Sequence, residues 1–276
     1  MLTMVGSIIK QIVMPIITPF LSAIIGYFVA IKIFEKQEKT KGTINKVNSA
    51  NELFIKVMFI HIKLVAIRQN YYENVNKSSD PRYRWMKMPS IMMDIEKIEF
   101  NLSRMSFIAT EKTANLSLEY SATWQNVIRI GVMIANYNHI GELINIRNGA
   151  LHEFESVLLA KKIDKCDYKT ACYLVGEASI LRVIQLTEHL ILVIDDILIE
   201  VNSFLKSFPQ CVLDSVDSKL IKNHESILSF TFFSDNPNKK IKRVVEVDYQ
   251  IMAKIFNEDE AIITENTETF YNKRAT

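Results

Sequence analysis

Glycine and proline are scarce, 7 and 6 in 276 residues. That scarcity excludes a fibre, a disordered linker and a loop-rich sandwich, and it leaves helices to dominate. Charge of one sign is missing too: 33 Lys and Arg stand against 31 Asp and Glu. A net +2 excludes a polycationic nucleic-acid coat and an acidic tail, so any polyanion contact must be local. The three cysteines, Cys166, Cys172 and Cys211, form an odd set without C-x-x-C spacing. They fit neither a disulfide framework nor a structural zinc site, and they suit a reducing compartment. No Walker loop, readable Ser-His-Asp set or Cys beside a His occurs, and neither a metal nor a cofactor is expected.

Apolar residues are plentiful. Mean hydropathy is +0.08 although 23% of residues are charged, and the excess lies at the front. Ile12 to Ile31 is 20 residues without a charge, which as a helix spans about 30 Å, the hydrocarbon thickness of a bilayer. The prolines in it and the lack of an A-x-A-like site favour a retained anchor over a cleaved signal peptide. Lys10 precedes the run, whereas Lys32, Lys36, Lys39, Lys41 and Lys46 follow it. The positive-inside bias then places a short N-terminus outside the inner membrane and the remainder in the cytoplasm.

At 100° per residue, Ser7, Gln11, Pro15, Thr18, Ser22 and Gly26 fall in one stripe about 100° wide. Small and polar residues gather where helices approach closely or where water must be met. The stripe therefore predicts self-association, either as plain packing or as a pore lined by Gln11, Pro15, Thr18, Ser22 and Gly26. Pro15 and Pro19 also free backbone carbonyls, which need a neighbouring helix or a wet cavity. One helix cannot enclose a pore, so the pore reading requires four or more copies.

The expected fold is mainly α, in four parts: a transmembrane helix (1–34), a helical stalk (35–75), a cytoplasmic helical domain (76–208) and a C-terminal α+β extension (209–276). In the stalk, Gly42 is a weak point. Phe54, Val57, Met58, His61, Leu64, Val65 and Arg68 follow the rhythm of a buried face, on which His61 reads as a core histidine. The stretch 76–90 reads as a loop. It concentrates Arg82, Tyr83, Arg84, Trp85 and Lys87, a pairing of cations with flat aromatics that suits a nucleotide or a short oligonucleotide; the alternative is a solvated connection whose Trp85 packs on the core or touches lipid headgroups. Helices are expected over 91–109, 112–147, 152–163 and 169–207, with Gly149 as a break. His189, Asp196 and Glu200 share a helix face that reads as solvated. After Pro209, 229–233 and 241–248 read as a hairpin around Asn236-Pro237-Asn238, followed by a helix over 249–256. Lys239, Lys240, Lys242 and Arg243 on its arm read as a charged edge or as a second polyanion contact.

Arg147-Asn148-Gly149-Ala150-Leu151-His152 has the form R-N-x-x-x-H, which resembles the signature of HEPN ribonucleases. The resemblance implies an all-helical metal-free nuclease in which Arg147 steadies phosphate charge and His152 moves protons. The stretch 140–153 resembles bacterial proteins with one N-terminal membrane helix and a helical cytoplasmic domain, and the overall layout resembles bacterial anti-phage membrane effectors, the Hailong type among them. In those, a cytoplasmic domain reads a nucleotide or DNA-oligomer signal and controls a channel. That resemblance implies a homo-oligomer in the bilayer that disrupts the membrane in abortive infection, with Arg147 purely structural. A non-enzymatic membrane adaptor is the third expectation.

Overall fold

A computed structural model describes residues 14–109, 123–221, 226–229 and 242–267. The chain is mainly helical, with no strand among the described residues.

Helix α1 (Met14–Gln69) runs for 56 residues and passes through both Pro19 and Gly42. Its two halves differ. From Val47 onward one face is buried, with Leu53, Val57, Ile60, Leu64 and Ile67 fully inaccessible. Before it, Phe20, Leu21, Ile25, Tyr27, Phe28, Val29, Ile33 and Phe34 each expose half or more of their surface. At 100° per residue these eight spread over roughly 260° around the axis.

Short α2 (Tyr72–Val75) and α3 (Pro81–Lys87) follow. The stretch 76–90 is thus not simply a loop. Asp80 caps α3 by accepting from Arg82 N at 2.9 Å, and Pro81 occupies the first turn, where its missing N–H costs nothing.

The helix expected over 91–109 is replaced by extended chain and a 3-10 turn (Leu102–Ile108). Helix α4 (Val127–Lys161) supplies the reason. Asn148 accepts from Ile91 N and donates to Ile91 O, and Asn138 does the same with Ile98, so two side chains stand in for a partner strand. Gly141 lets Ile95 approach; a Cβ there would lie 3.3 Å from the Ile95 Cβ.

Gly149 does not break α4, which joins the two helices expected on either side of it. A single exposed glycine costs only about 1 kcal/mol, and buried Arg147 and Leu151 anchor the helix beside it. A real break occurs at Gly176, whose φ of 90° separates α5 (Tyr168–Val175) from α6 (Glu177–Ser215). Helix α6 crosses the boundary expected at 208/209 with Pro209 inside it. It is the central element, packed against α1, α3, α4 and α5. Its Phe204 and Phe208 stack at 4.2 Å, and Trp124 meets Phe204 edge-on at 5.1 Å. A satellite core joins Trp85, Phe154, Ile180 and Ile184.

Short α7 (Ser218–Ile221), α8 (Tyr249–Phe256) and α9 (Glu260–Thr267) complete the described chain. The expected hairpin is corrected in part. Residues 230–241 lie outside the described residues, and 226–229 and 242–248 form no strand. The second run is extended, but side chains of other elements satisfy its backbone, and these contacts build the candidate site.

Candidate functional site

Four buried carboxylates project from α6, and each meets an arginine from a different element. Glu188 pairs with Arg84 of α3 at 3.0 Å, Asp195 with Arg68 of α1 at 2.7 Å, and Glu200 with Arg129 of α4 at 2.9 Å. Asp196 pairs with Arg243 of the C-terminal segment. The face expected to be solvated is therefore interior at Asp196 and Glu200, and only His189 of that trio is exposed. No group of three or more His, Cys, Asp or Glu that could hold a metal occurs among the described residues. Buried pairs add little net stability, because desolvation consumes the Coulombic gain. What they fix is the register in which five segments meet.

The same side chains grip the extended run 242–248. Arg68 Nη2 donates to Lys242 O, Val244 N to Asp195 Oδ2 at 2.6 Å, and Arg84 Nη1 to Val245 O at 2.5 Å. On the other side Val245 N donates to Asn76 Oδ1 and Asp248 N to Ser79 O, at 2.8 and 2.9 Å. The run is held as a strap across α3 and α6. The described parts of the two basic patches, far apart in sequence, come together here.

Between strap and helices lies a cavity of about 350 Å³ lined by Arg84, Glu188, Ile191, Leu192, Asp195, Arg243, Tyr249 and strap residues 244–247. Arg84 and Glu188 are 2% and 3% exposed. They are each other's partner in the ion pair, and Arg84 also donates to Val245 O. Burial pushes the Glu188 carboxyl up to about 7 against the opposing pull of Arg84.

The individual side chains depart from the cation-and-aromatic picture. Trp85 is buried, donates Nε1 to Arg82 O at 2.9 Å and packs edge-on against Phe154, so it offers no face to a base. Arg82 is paired with Asp80 at 2.6 Å, while Lys87 and Lys242 are exposed. Lys239 and Lys240 lie outside the described residues, as does Gln11. Pro15 and Thr18 fall in the first turns of α1, and Ser22 and Gly26 farther along it are exposed. Among the described residues no helix is long and apolar enough to cross a membrane; the uncharged run from Ile12 begins outside them.

Arg147 and His152 lie on one helix, but the structure does not bring them together. Arg147 is wholly buried, donating to Thr187 Oγ1 at 2.9 Å and to the carbonyls of Trp85, Met88 and Pro89, where it caps the end of α3. Burial lowers its pKa to about 10. His152 faces solvent.

Sequence reasoning missed the carboxylate row, although its signal was present: Asp195, Asp196 and Glu200 interrupt an otherwise apolar helix run. A carboxylate inside such a run must be paired if the run is buried on all sides, which points to an arginine partner on another element. No protein-family model, curated protein or solved structure matches the chain.

Proposed function

We propose that the chain is a homo-oligomeric inner-membrane effector, an ion channel whose N-terminal helices gather around the polar stripe and whose cytoplasmic domain senses a nucleotide or short oligonucleotide. The observation that carries this reading is α1 itself. Its first part is apolar around most of its circumference and uncovered, a pattern at home in lipid or among copies of itself and costly in water. The same unbroken helix enters the core and carries in its last turn Arg68, which holds both Asp195 and the strap beside the cavity. A ligand that prefers one strap position is thereby coupled to the helix that reaches the bilayer, and only that difference in affinity can drive gating.

The output, by the likeness to anti-phage effectors, is loss of membrane integrity. The test is ion flux across liposomes holding the purified full chain, under a panel of nucleotides, with Gln11→Leu and Thr18→Leu alongside. An oligomer whose flux responds to a nucleotide and falls in both variants is expected. A monomer by light scattering that leaves liposomes tight under every nucleotide overturns the reading.

A further inference from the structure

We propose that α1 meets a second copy of itself from Pro15 through Ile62, far beyond the polar stripe, with the helices wrapping right-handedly about one another. This rests on the self-association proposed above and adds the surface and the hand of the contact.

The stripe repeats every 11 residues, in steps of four, four and three. Continued along the unbroken helix, the registers of Ser22, Gly26 and Thr18 return as Ile55, Phe59 and Ile62. These three large apolar side chains are 39%, 53% and 51% exposed. At 100° per residue Ile55 stands half a turn from Leu64 on the core face, where an amphipathic helix otherwise carries charge. The stretch from Val29 to Ala66 holds ten Lys and Glu, and none falls on the eleven positions of this seam. An uncharged line on the solvent side of a helix, ending in three exposed apolar residues, marks a surface that another chain covers.

The period decides both the occupant and the hand. A seven-residue repeat continued from Thr18 and Ser22 arrives at Leu53 and Val57, which are wholly buried in the chain's own core and closed to any partner. The 11-residue repeat, at about 3.67 residues per turn, stays on the outer face instead, and helices that follow it supercoil right-handedly. Small residues such as Ser22 and Gly26 suit the close right-handed crossings common in membranes. A helix of the same period fits the seam along its length, and copies gathered at the stripe run parallel, so each α1 offers its neighbour the matching face. The core of each copy lies on the opposite side of α1 and points outward, clear of the contact. Asn51, also on the seam, donates to Ser226 O and accepts from Leu228 N, so that short segment borders the contact.

The experiment is disulfide cross-linking of the full chain in liposomes with copper–phenanthroline as oxidant, wild type and its three cysteines setting the background rate. Asn48→Cys, Ile55→Cys and Ile62→Cys, at exposed seam positions, give disulfide-linked dimers at least tenfold faster than Lys46→Cys, which is exposed off the seam. Phe59→Glu, which sets like charges against one another along the seam, raises the protein concentration needed for the oligomer at least tenfold by light scattering in detergent. Cross-linking at Lys46→Cys as fast as on the seam, seam variants no faster than wild type, or an oligomer indifferent to Phe59→Glu overturns the proposal. The three seam positions report independently, so one variant that fails to fold cannot shelter it. A stable oligomer without seam cross-links overturns this inference and leaves the channel reading standing. Seam cross-links in liposomes that stay tight under every nucleotide leave this inference standing and overturn the channel.

Discussion

Replacing Gly149 and Gly176 by alanine is the same chemical change with opposite expected signs. Neither site is crowded: nothing lies within 4 Å of a Cβ built at either position. The difference is backbone conformation alone. Gly149 is exposed in the interior of α4, where glycine is less favourable than alanine by about 0.8–1.0 kcal/mol. Gly176 sits at φ 90°, where a Cβ strains against its own backbone at a cost of roughly 1–2 kcal/mol. Gly149→Ala should therefore stabilise by about 1 kcal/mol, a rise in Tm of about 2–4 °C for a domain of this size, and Gly176→Ala should lower Tm by about as much or more. Thermal unfolding followed by circular dichroism at 222 nm measures both. Had Gly149 ended one helix and begun the next in a left-handed conformation, alanine there would be destabilising. A fall in Tm for Gly149→Ala would refute the continuous α4 and restore the helix break.

Breaking one partner of a buried pair should cost far more than removing both. Arg129→Met or Glu200→Leu alone is expected to destabilise by about 3–5 kcal/mol, and the double variant to recover most of that in denaturant unfolding; additive losses would contradict the pairing. Glu188 holds its proton up to about pH 7 in the folded chain against about 4.5 when unfolded. The folded state therefore binds more protons across that window, and the stability this group contributes is lost as pH rises through it, by about 1.4 kcal/mol per unit. Glu188→Gln, which cannot titrate, should flatten the slope between pH 5 and 7; an unchanged slope would show that Glu188 is not its source. Arg147→Met should leave three carbonyls without their donor and lower Tm, while His152→Ala should stay within about 0.5 kcal/mol of wild type, both read by the same melt. Equal effects from the two substitutions would count against a structural Arg147.

Periodicity made α1 and much of α4 and α6 legible, because a buried stripe at helical spacing is written directly in residue types. The extended stretch 91–101 was not legible. Its sequence alternates apolar and charged residues in a way a helix also tolerates, and what decides its form is Asn138 and Asn148 on a helix that comes later in the chain. The strap misled for a related reason. Val244, Val245 and Val247 carry real β propensity, but a side chain can satisfy a backbone group as well as a strand can, and here Asp195, Arg84 and Asn76 do so. At the site, Arg84, Lys242 and Arg243 belong to two patches whose meeting only the tertiary structure could reveal. Cation count gave the opposite impression for Arg84 and Arg243, since the carboxylates that pair with them sit on a third element.

The carboxylate row on α6 also sets an order of assembly. A ribosome delivers Arg68, Arg84 and Arg129 before α6 and Arg243 after it, so three of the four acids meet their arginines as α6 emerges. Asp196 lacks its arginine until the strap is translated. A nascent chain cut short before residue 243 would carry a nearly complete core with a carboxylate missing its counter-charge and no strap in place. Finishing the domain thus depends on the last part of the message, so a product broken off early is marked by instability.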